Sequence, residues 1–234
     1  MNKKKKLLDK LKSDLKNVDG FIKDEEMVLL YKLAKEAKKP IVEVGSWKGK
    51  STVCLAEGSQ AGNKVKVFAV DPFTGSSEHG KVWTYPEFEN NIKKAKVDKI
   101  VVPLIKTSAE AVEDWSKEID LVWIDGAHEY DQVKFDFENW LPHLAEGGIV
   151  AMHDTKPGGK AGPYRVILEN IVCSNKYKLK FLNFTKLTAC FEKVSSVSIF
   201  NRIKFLILFY LRSFIALAHI KILKLIPLKK LHLC

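Results

Sequence analysis

The sequence predicts an α/β chain: a doubly wound, mostly parallel seven-stranded sheet closed by a C-terminal antiparallel hairpin, with helical extensions at both ends. Three observations carry this. From residue 41 to about 174, short apolar runs alternate with segments of helical period, the pattern of a parallel sheet covered on both faces. The runs end at Gly45, Asp71-Pro72, Asp125-Gly126 and His153-Asp154, so small or acidic residues recur where strand meets loop. The last two strand-like runs, 177–184 and 187–193, are separated by a short turn. A parallel crossover needs a dozen or more residues, so these two must pair antiparallel.

In chain order, residues 3–17 form a lysine-rich helix with Leu7, Leu8, Leu11 and Leu15 on one face. Asp19-Gly20 turns into a second helix over 24–38, with Met27, Leu30, Tyr31 and Ala34 at helical spacing, and Pro40 ends it. The first strand is 41–44 and its helix about 50–60. Gly62-Asn63 turns into the second strand, 65–70. A helix over 86–96 leads to the third strand, 100–105, and a short helix over 108–115 to the fourth, 121–124. Residues 130–144 read as an amphipathic helix burying Val133, Phe137, Trp140, Leu141 and Leu144, capped by Gly147-Gly148. The fifth strand is 149–152. A glycine-rich loop over 156–162 leads to a helix over 164–174 and then the hairpin.

This divides the 234 residues into a basic helical extension (1–39), a central domain (40–195) and a basic, apolar helical tail (196–234). Hydrophobic residues at 46% and charged ones at 29% support a sizeable core. The net charge of +11 is uneven: residues 1–40 carry +5, residues 41–195 carry −1, and residues 196–234 carry +7 with no acid at all. A nucleic-acid enzyme concentrates positive charge around its site. Here the charge sits on the flanks, which suits an anionic membrane surface or an acidic partner, or solubilises the ends. Cys54, Cys173, Cys190 and Cys234 form no CxxC pair, so a reducing compartment is expected, with no disulfide framework. Lys3 to Lys6 precede a charged segment rather than an apolar one, which does not read as a signal peptide and points to the cytoplasm.

The tail breaks the composition of the rest. Phe205 to Leu211 is wholly apolar, and Arg212 then interrupts the apolar run. A spanning helix needs about 20 apolar residues with few charges. Residues 198–226 therefore predict an interfacial helix in peripheral contact with anionic lipid, at the inner face of the membrane. The alternatives are packing on its own domain or on a second copy in a homo-oligomer.

The stretch from Glu43 to Ser51 reads as a strand, a glycine turn and a helix N-terminus, where backbone N–H groups are unpaired and a ligand can approach. Gly45-Ser46-Trp47-Lys48-Gly49-Lys50-Ser51 has three residues between its glycine and the Gly-Lys-Ser end, whereas a phosphate loop has four. A dinucleotide turn needs G-x-G-x-x-G, and Trp47 stands where the backbone would approach pyrophosphate. The pattern left is E-x-G-x-x-x-G at Glu43, Gly45 and Gly49.

That pattern resembles the first motif of class I S-adenosylmethionine-dependent methyltransferases. The segment from Ile124 to Tyr130 (Asp-Gly-Ala-His-Glu-Tyr after Ile124), with His153-Asp154 downstream, is similar to the family that includes macrolide-sugar O-methyltransferases and cephalosporin-hydroxylase-like proteins. The similarity spans roughly residues 40–193 and implies a Rossmann-like methyltransferase fold. It implies a cofactor site at Glu43, Gly45, Ser46, Trp47, Gly49, Ser51, Asp71, Thr107, Ser108 and Asp125, with Asp71 accepting from the ribose hydroxyls and Thr107 and Ser108 lining the adenine. It also implies Asp125, His153 and Asp154 as ligands to a divalent cation such as Mg²⁺, which favours carboxylate oxygens and lowers the pKa of a bound hydroxyl. Asp125 and Asp154 as mere capping residues is the alternative. His128 matches a proposed general base, and imidazole titrates near neutrality.

The expected activity is O-methylation of a sugar or other small acceptor, including a glycan or lipid-linked one. Two other readings stay open: cofactor binding or scaffolding without transfer, and hydroxylase-like oxidation, for which His128, His153 and Asp125 would be the only iron set. Cys54 and Cys190 read as buried small hydrophobes. His79 reads as part of a surface loop, and Arg165 as a surface residue at a helix start.

Overall fold

The computed structural model describes residues 3–76, 80–157, 161–174 and 176–225. His79, part of the 156–162 loop and the end of the tail lie outside them. The strands are β1 (Ile41–Val44), β2 (Val67–Val70), β3 (Gly75–Ser76), β4 (Gly80–Lys81), β5 (Val101–Leu104), β6 (Ile119–Ile124), β7 (Leu144–Met152), β8 (Leu179–Thr185) and β9 (Thr188–Lys193). The helices are α1 (Lys3–Asp14), α2 (Asp24–Glu36), α3 (Lys50–Ala61), α4 (Tyr85–Lys94), α5 (Ser108–Glu113), α6 (Tyr130–Trp140), α7 (Ala161–Ile167) and α8 (Ile199–Leu225).

Seven strands form one sheet in the order β5-β2-β1-β6-β7-β9-β8. The first five in that order are parallel, and β9 runs antiparallel to both β7 and β8. The closing hairpin and the mostly parallel sheet are thus as the residues predict. β3 and β4 form a separate two-stranded ribbon that no apolar run in the sequence announces.

Successive strand residues point to opposite faces, and this splits the core in two. Ile41, Leu121 and Trp123 pack with Leu11, Leu30, Leu55 and Phe88 of α1 to α4. Val42, Val122 and Ile124 pack with Val133, Phe137, Trp140 and Val166 of α6 and α7. The N-terminal helices therefore cover one face of the sheet. α8 joins the other: Phe205 lies 5.0 Å from Phe181 and 5.4 Å from Phe191, ring centre to ring centre.

Several boundaries differ from expectation, each for a local reason. The helix expected over 130–144 stops at Trp140, because Pro142 has no N–H to continue it. A single 3₁₀ turn, Leu141–His143, comes next. Gly147-Gly148 does not cap that helix. It lies inside β7, whose pairing with β6 jumps from Ile119↔Leu144 to Leu121↔Ile149. Gly147 takes φ +79 in this bulge. The second strand begins at Val67 rather than Val65, after Lys64 turns at φ +58. The helix expected over 164–174 starts at Ala161 and widens to a π turn over Leu168–Val172.

Candidate active site

Neighbours extend the sheet's hydrogen bonding to the strand ends: Gly45 N–H donates to Val70 O, Asp71 N–H to Leu104 O, Asp125 N–H to Val44 O and His153 N–H to Ile124 O. The C-terminal ends of β2, β1, β6 and β7 thereby form one rim. Strand order reverses between β1 and β6, the place where open α/β sheets bind ligands.

The glycine turn is built against β6. Gly45 has φ +89, and a Cβ there would stand 2.3 Å from the Asp125 carbonyl oxygen, so only glycine fits. Gly49, at φ +88, starts α3. Asp71 ties this turn to β2: its Oδ2 accepts from the N–H groups of Ser46 and Trp47, both at 2.8 Å, and its Oδ1 from Phe73 N–H at 2.6 Å. Burial pushes the Asp71 pKa up against the pull of these three donors. A carboxylate has about four acceptor sites, so one remains.

Glu43 is wholly buried beneath the turn. Its Oε2 accepts from the hydroxyls of Ser46, at 2.9 Å, and Thr52. Its Oε1 has no hydrogen-bond partner. Burial raises its pKa to about 7, against the pull of the Ser51, Thr52 and Ser46 hydroxyls. Farther along the rim, Thr107 caps α5 and exchanges hydrogen bonds with Glu110. Ser108 Oγ accepts from Trp140 Nε1 at 2.9 Å.

At the other end, two His–Asp pairs cross between β6 and β7. His153 Nδ1 is 2.9 Å from Asp125 Oδ1. Its Nε2 faces Glu26 Oε2 at 3.4 Å, and Glu26 is a fully buried residue of α2. Glu26 also accepts from the backbone N–H groups of Lys23 and Leu187 and from the Thr188 hydroxyl. Burial alone would lower the His153 pKa. Asp125 and then Glu26 outweigh it, and the ring is held up to about 10. The second pair is His128 Nε2 and Asp154 Oδ2, 3.0 Å apart. Asp154 stands at φ +51, an unusual conformation for a side chain-bearing residue.

The divalent-cation set expected at Asp125, His153 and Asp154 does not fit this arrangement. Both ring nitrogens of His153 face carboxylates, Asp125 Oδ1 at 2.9 Å and Glu26 Oε2 at 3.4 Å, so neither is turned toward a cation shared with Asp154. Among the described residues no group of three or more His, Cys, Asp or Glu is arranged to hold a metal ion. The structure thus brings Glu43, Gly45, Ser46, Trp47, Gly49, Ser51 and Asp71 together around one turn, and Asp125, His128, His153 and Asp154 around the neighbouring strand ends. Thr107 and Ser108 lie at the start of α5, just past the C-terminal end of β5. Glu26 escapes the sequence pattern. It stands after Asp24 and Glu25 in a first helical turn, where acids are ordinary, and nothing in that run marks one of them as buried.

S-adenosylmethionine, the cofactor that the fold implies, is compatible with the turn. Asp71 keeps one free acceptor site, the buried Oε1 of Glu43 is left unpartnered beneath the turn, and the start of α3 offers N–H groups.

Residues 42–155 match a family model described as a methyltransferase domain. A stretch of 121 residues, 50% of this chain, is 34% identical to the uncharacterized protein y4gI of Sinorhizobium fredii, of whose length it spans 13%. Among solved structures, an O-methyltransferase from Bacillus cereus in complex with SAH is similar over 82% of this chain and 92% of its own, with TM-score 0.56 at 15% identity. A putative caffeoyl-CoA O-methyltransferase from Staphylococcus aureus covers 82% of this chain and 93% of its own, with TM-score 0.56 at 18% identity. A TDP-rhamnose 3′-O-methyltransferase of calicheamicin biosynthesis covers 80% and 93%, with TM-score 0.53 at 16% identity. At these identities the likeness is one of fold.

Proposed function

We infer that this chain, which has the fold of class I S-adenosylmethionine-dependent methyltransferases and matches a methyltransferase-domain family over residues 42–155, methylates a hydroxyl of a sugar or other small polyol-like acceptor. The observation that carries the reading is the convergence on one rim of a glycine turn under Glu43 and Asp71 with the His128–Asp154 pair. The sugar is proposed by analogy with the rhamnose methyltransferase among the similar folds.

When bound, the cofactor supplies a methyl group on a positive sulfonium, so the protein's task is to align the acceptor and take its proton. On this reading the 45–51 turn and Asp71 hold the cofactor. His128 is the general base. The Asp154 carboxylate, 3.0 Å from His128 Nε2, stabilises the imidazolium that forms when the ring takes the hydroxyl proton. Asp125 is neutralised by His153, which keeps a second negative charge from competing for that proton. Metal assistance, implied by the resemblance, has no place in this reading, because His153 is committed to Asp125 and Glu26.

Calorimetry with S-adenosylmethionine tests the class: no binding to the folded full chain would end it. Methyl-labelled S-adenosylmethionine with cell extract, read by mass spectrometry, identifies the acceptor. The chemistry is checked separately with His128→Ala.

A further inference from the structure

α8 has two apolar faces, and only one of them is used. Phe205 is buried against Phe181 and Phe191 of the hairpin strands, and Phe209 against Tyr164 of α7. On the opposite face, Phe200, Ile203, Ile207, Tyr210, Phe214 and Leu217 recur at alternating intervals of three and four, one stripe of a helix. All six are exposed, Phe200 by 81% and Phe214 by 72%. A contiguous apolar stripe of this kind on a folded chain marks a contact site.

We propose that this outer face of α8 docks on the surface of an anionic lipid bilayer. Three observations select that occupant. Residues 196–234 hold seven Lys or Arg and no acid, so the segment is attracted to negative lipid and repelled by a second copy of itself. Among the described residues no helix is long and apolar enough to cross a membrane, which leaves the helix lying in the interface. Beside the stripe, a cavity of about 540 Å³ is lined by Phe184, Leu208, Leu211 and Ile215, with Lys156 and Arg212 also on its wall. Apolar walls with two cations suit the acyl portion and phosphate of a phospholipid.

The position of α8 gives docking a consequence for the site. Arg212 donates to the Thr155 carbonyl and hydroxyl oxygens, one residue past Asp154, and to Lys186 O. Tyr164 bonds Ser213 at 3.1 Å and stacks on Phe209. Gly162, two residues before Tyr164, donates to His128 O. α8 therefore touches the segment after Asp154 directly and reaches the His128 loop through α7. Resting on the methyltransferase reading, this makes the acceptor hydroxyl one carried on a lipid.

Flotation of the full chain on vesicles of phosphatidylcholine alone and with 30% phosphatidylglycerol tests the docking. Binding is expected on the anionic vesicles and at least tenfold weaker on the neutral ones. The double variant Ile207→Ser/Phe214→Ser should lose at least tenfold while keeping its melting curve. Lys204→Gln/Lys221→Gln/Lys224→Gln, which leaves the stripe intact, should lose about a hundredfold, since each basic residue near the surface contributes about fivefold. No flotation of the wild type, equal binding to both vesicles, or an unaffected stripe variant would overturn the proposal. So would a wild-type dimer in sedimentation that the stripe variant renders monomeric. With membranes as the acceptor source, methyl label should enter the organic phase. Label confined to water-soluble product would refute the lipid-borne acceptor. Calorimetry on the same protein separates the two ideas: flotation without S-adenosylmethionine binding refutes the methyltransferase reading and leaves the docking standing.

Discussion

His128 and Asp154 stand shortly past the ends of β6 and β7, two paired neighbours, so their 3.0 Å approach is set by the sheet. General-base catalysis contributes about 10²–10⁴-fold. His128→Ala should lower kcat by at least about 10²-fold while calorimetric affinity for S-adenosylmethionine stays within twofold. Comparable loss of both would mean that the residue holds the turn instead. Two buried groups shape the pH dependence of stability, and their signs agree. The folded pKa of His153, about 10, lies above its ordinary 6.5. Its contribution is complete below pH 6.5, declines above that and is lost as pH passes about 10. Glu43 titrates near 7 when folded, above its ordinary 4.5, so its burial costs more stability as pH rises from 4.5 to 7. Melting temperatures should fall across both windows. Glu43→Gln should flatten the lower window and His153→Gln the upper one, and an unchanged slope in either variant would contradict the assignment. At this scale much of the candidate site was legible. Glu43, Gly45, Asp71, Asp125, His128 and Asp154 stand at strand ends that apolar periodicity marks. The state of His153 was not legible. It depends on Glu26, which is 127 positions away and meets it only because α2 covers the sheet.

The strands were readable because each is a short apolar run, and the hairpin because its turn is too short for a crossover. The limits of α6 and β7 were not. The apolar spacing of Leu141 and Leu144 fits a helix as well as a 3₁₀ turn leading into a strand, and tertiary pairing with Ile119 decides. The two faces of α8 were likewise hidden, because a helix that is apolar nearly all round carries no periodic sign of which side meets the sheet. Close packing makes two elements testable. Gly45→Ala puts a Cβ against the Asp125 carbonyl at positive φ. Urea unfolding should show a loss of about 2 kcal/mol or more, with S-adenosylmethionine binding abolished; retention of both would place the turn elsewhere. Phe205→Ala, at the aromatic contact of α8 with β8 and β9, should cost about 3–5 kcal/mol in the same assay. A loss near zero would show that α8 adds nothing to the stability of the sheet.

For the whole molecule, a ligand that binds only the folded chain stabilises it by mass action. S-adenosylmethionine at a hundred times its dissociation constant should add about 2.7 kcal/mol, a rise of roughly 5–10 °C in Tm for a chain of this length. A shift of similar size in Asp71→Asn would argue that Asp71 serves the turn and not the cofactor. Glu26 has a wider consequence. It belongs to the second helix to leave the ribosome, yet its carboxylate is satisfied by Leu187 and Thr188, more than 160 positions later. Such remote pairing is slow to form, and N-terminal segments emerge first. Through most of synthesis the nascent chain therefore carries Glu26 without its two hairpin donors, and this corner of α2 is completed only when the hairpin arrives. Chains truncated before residue 187 should be protease-sensitive throughout α1 and α2. A quality-control protease would then discard an unfinished chain before its half-built crevice could sequester cofactor.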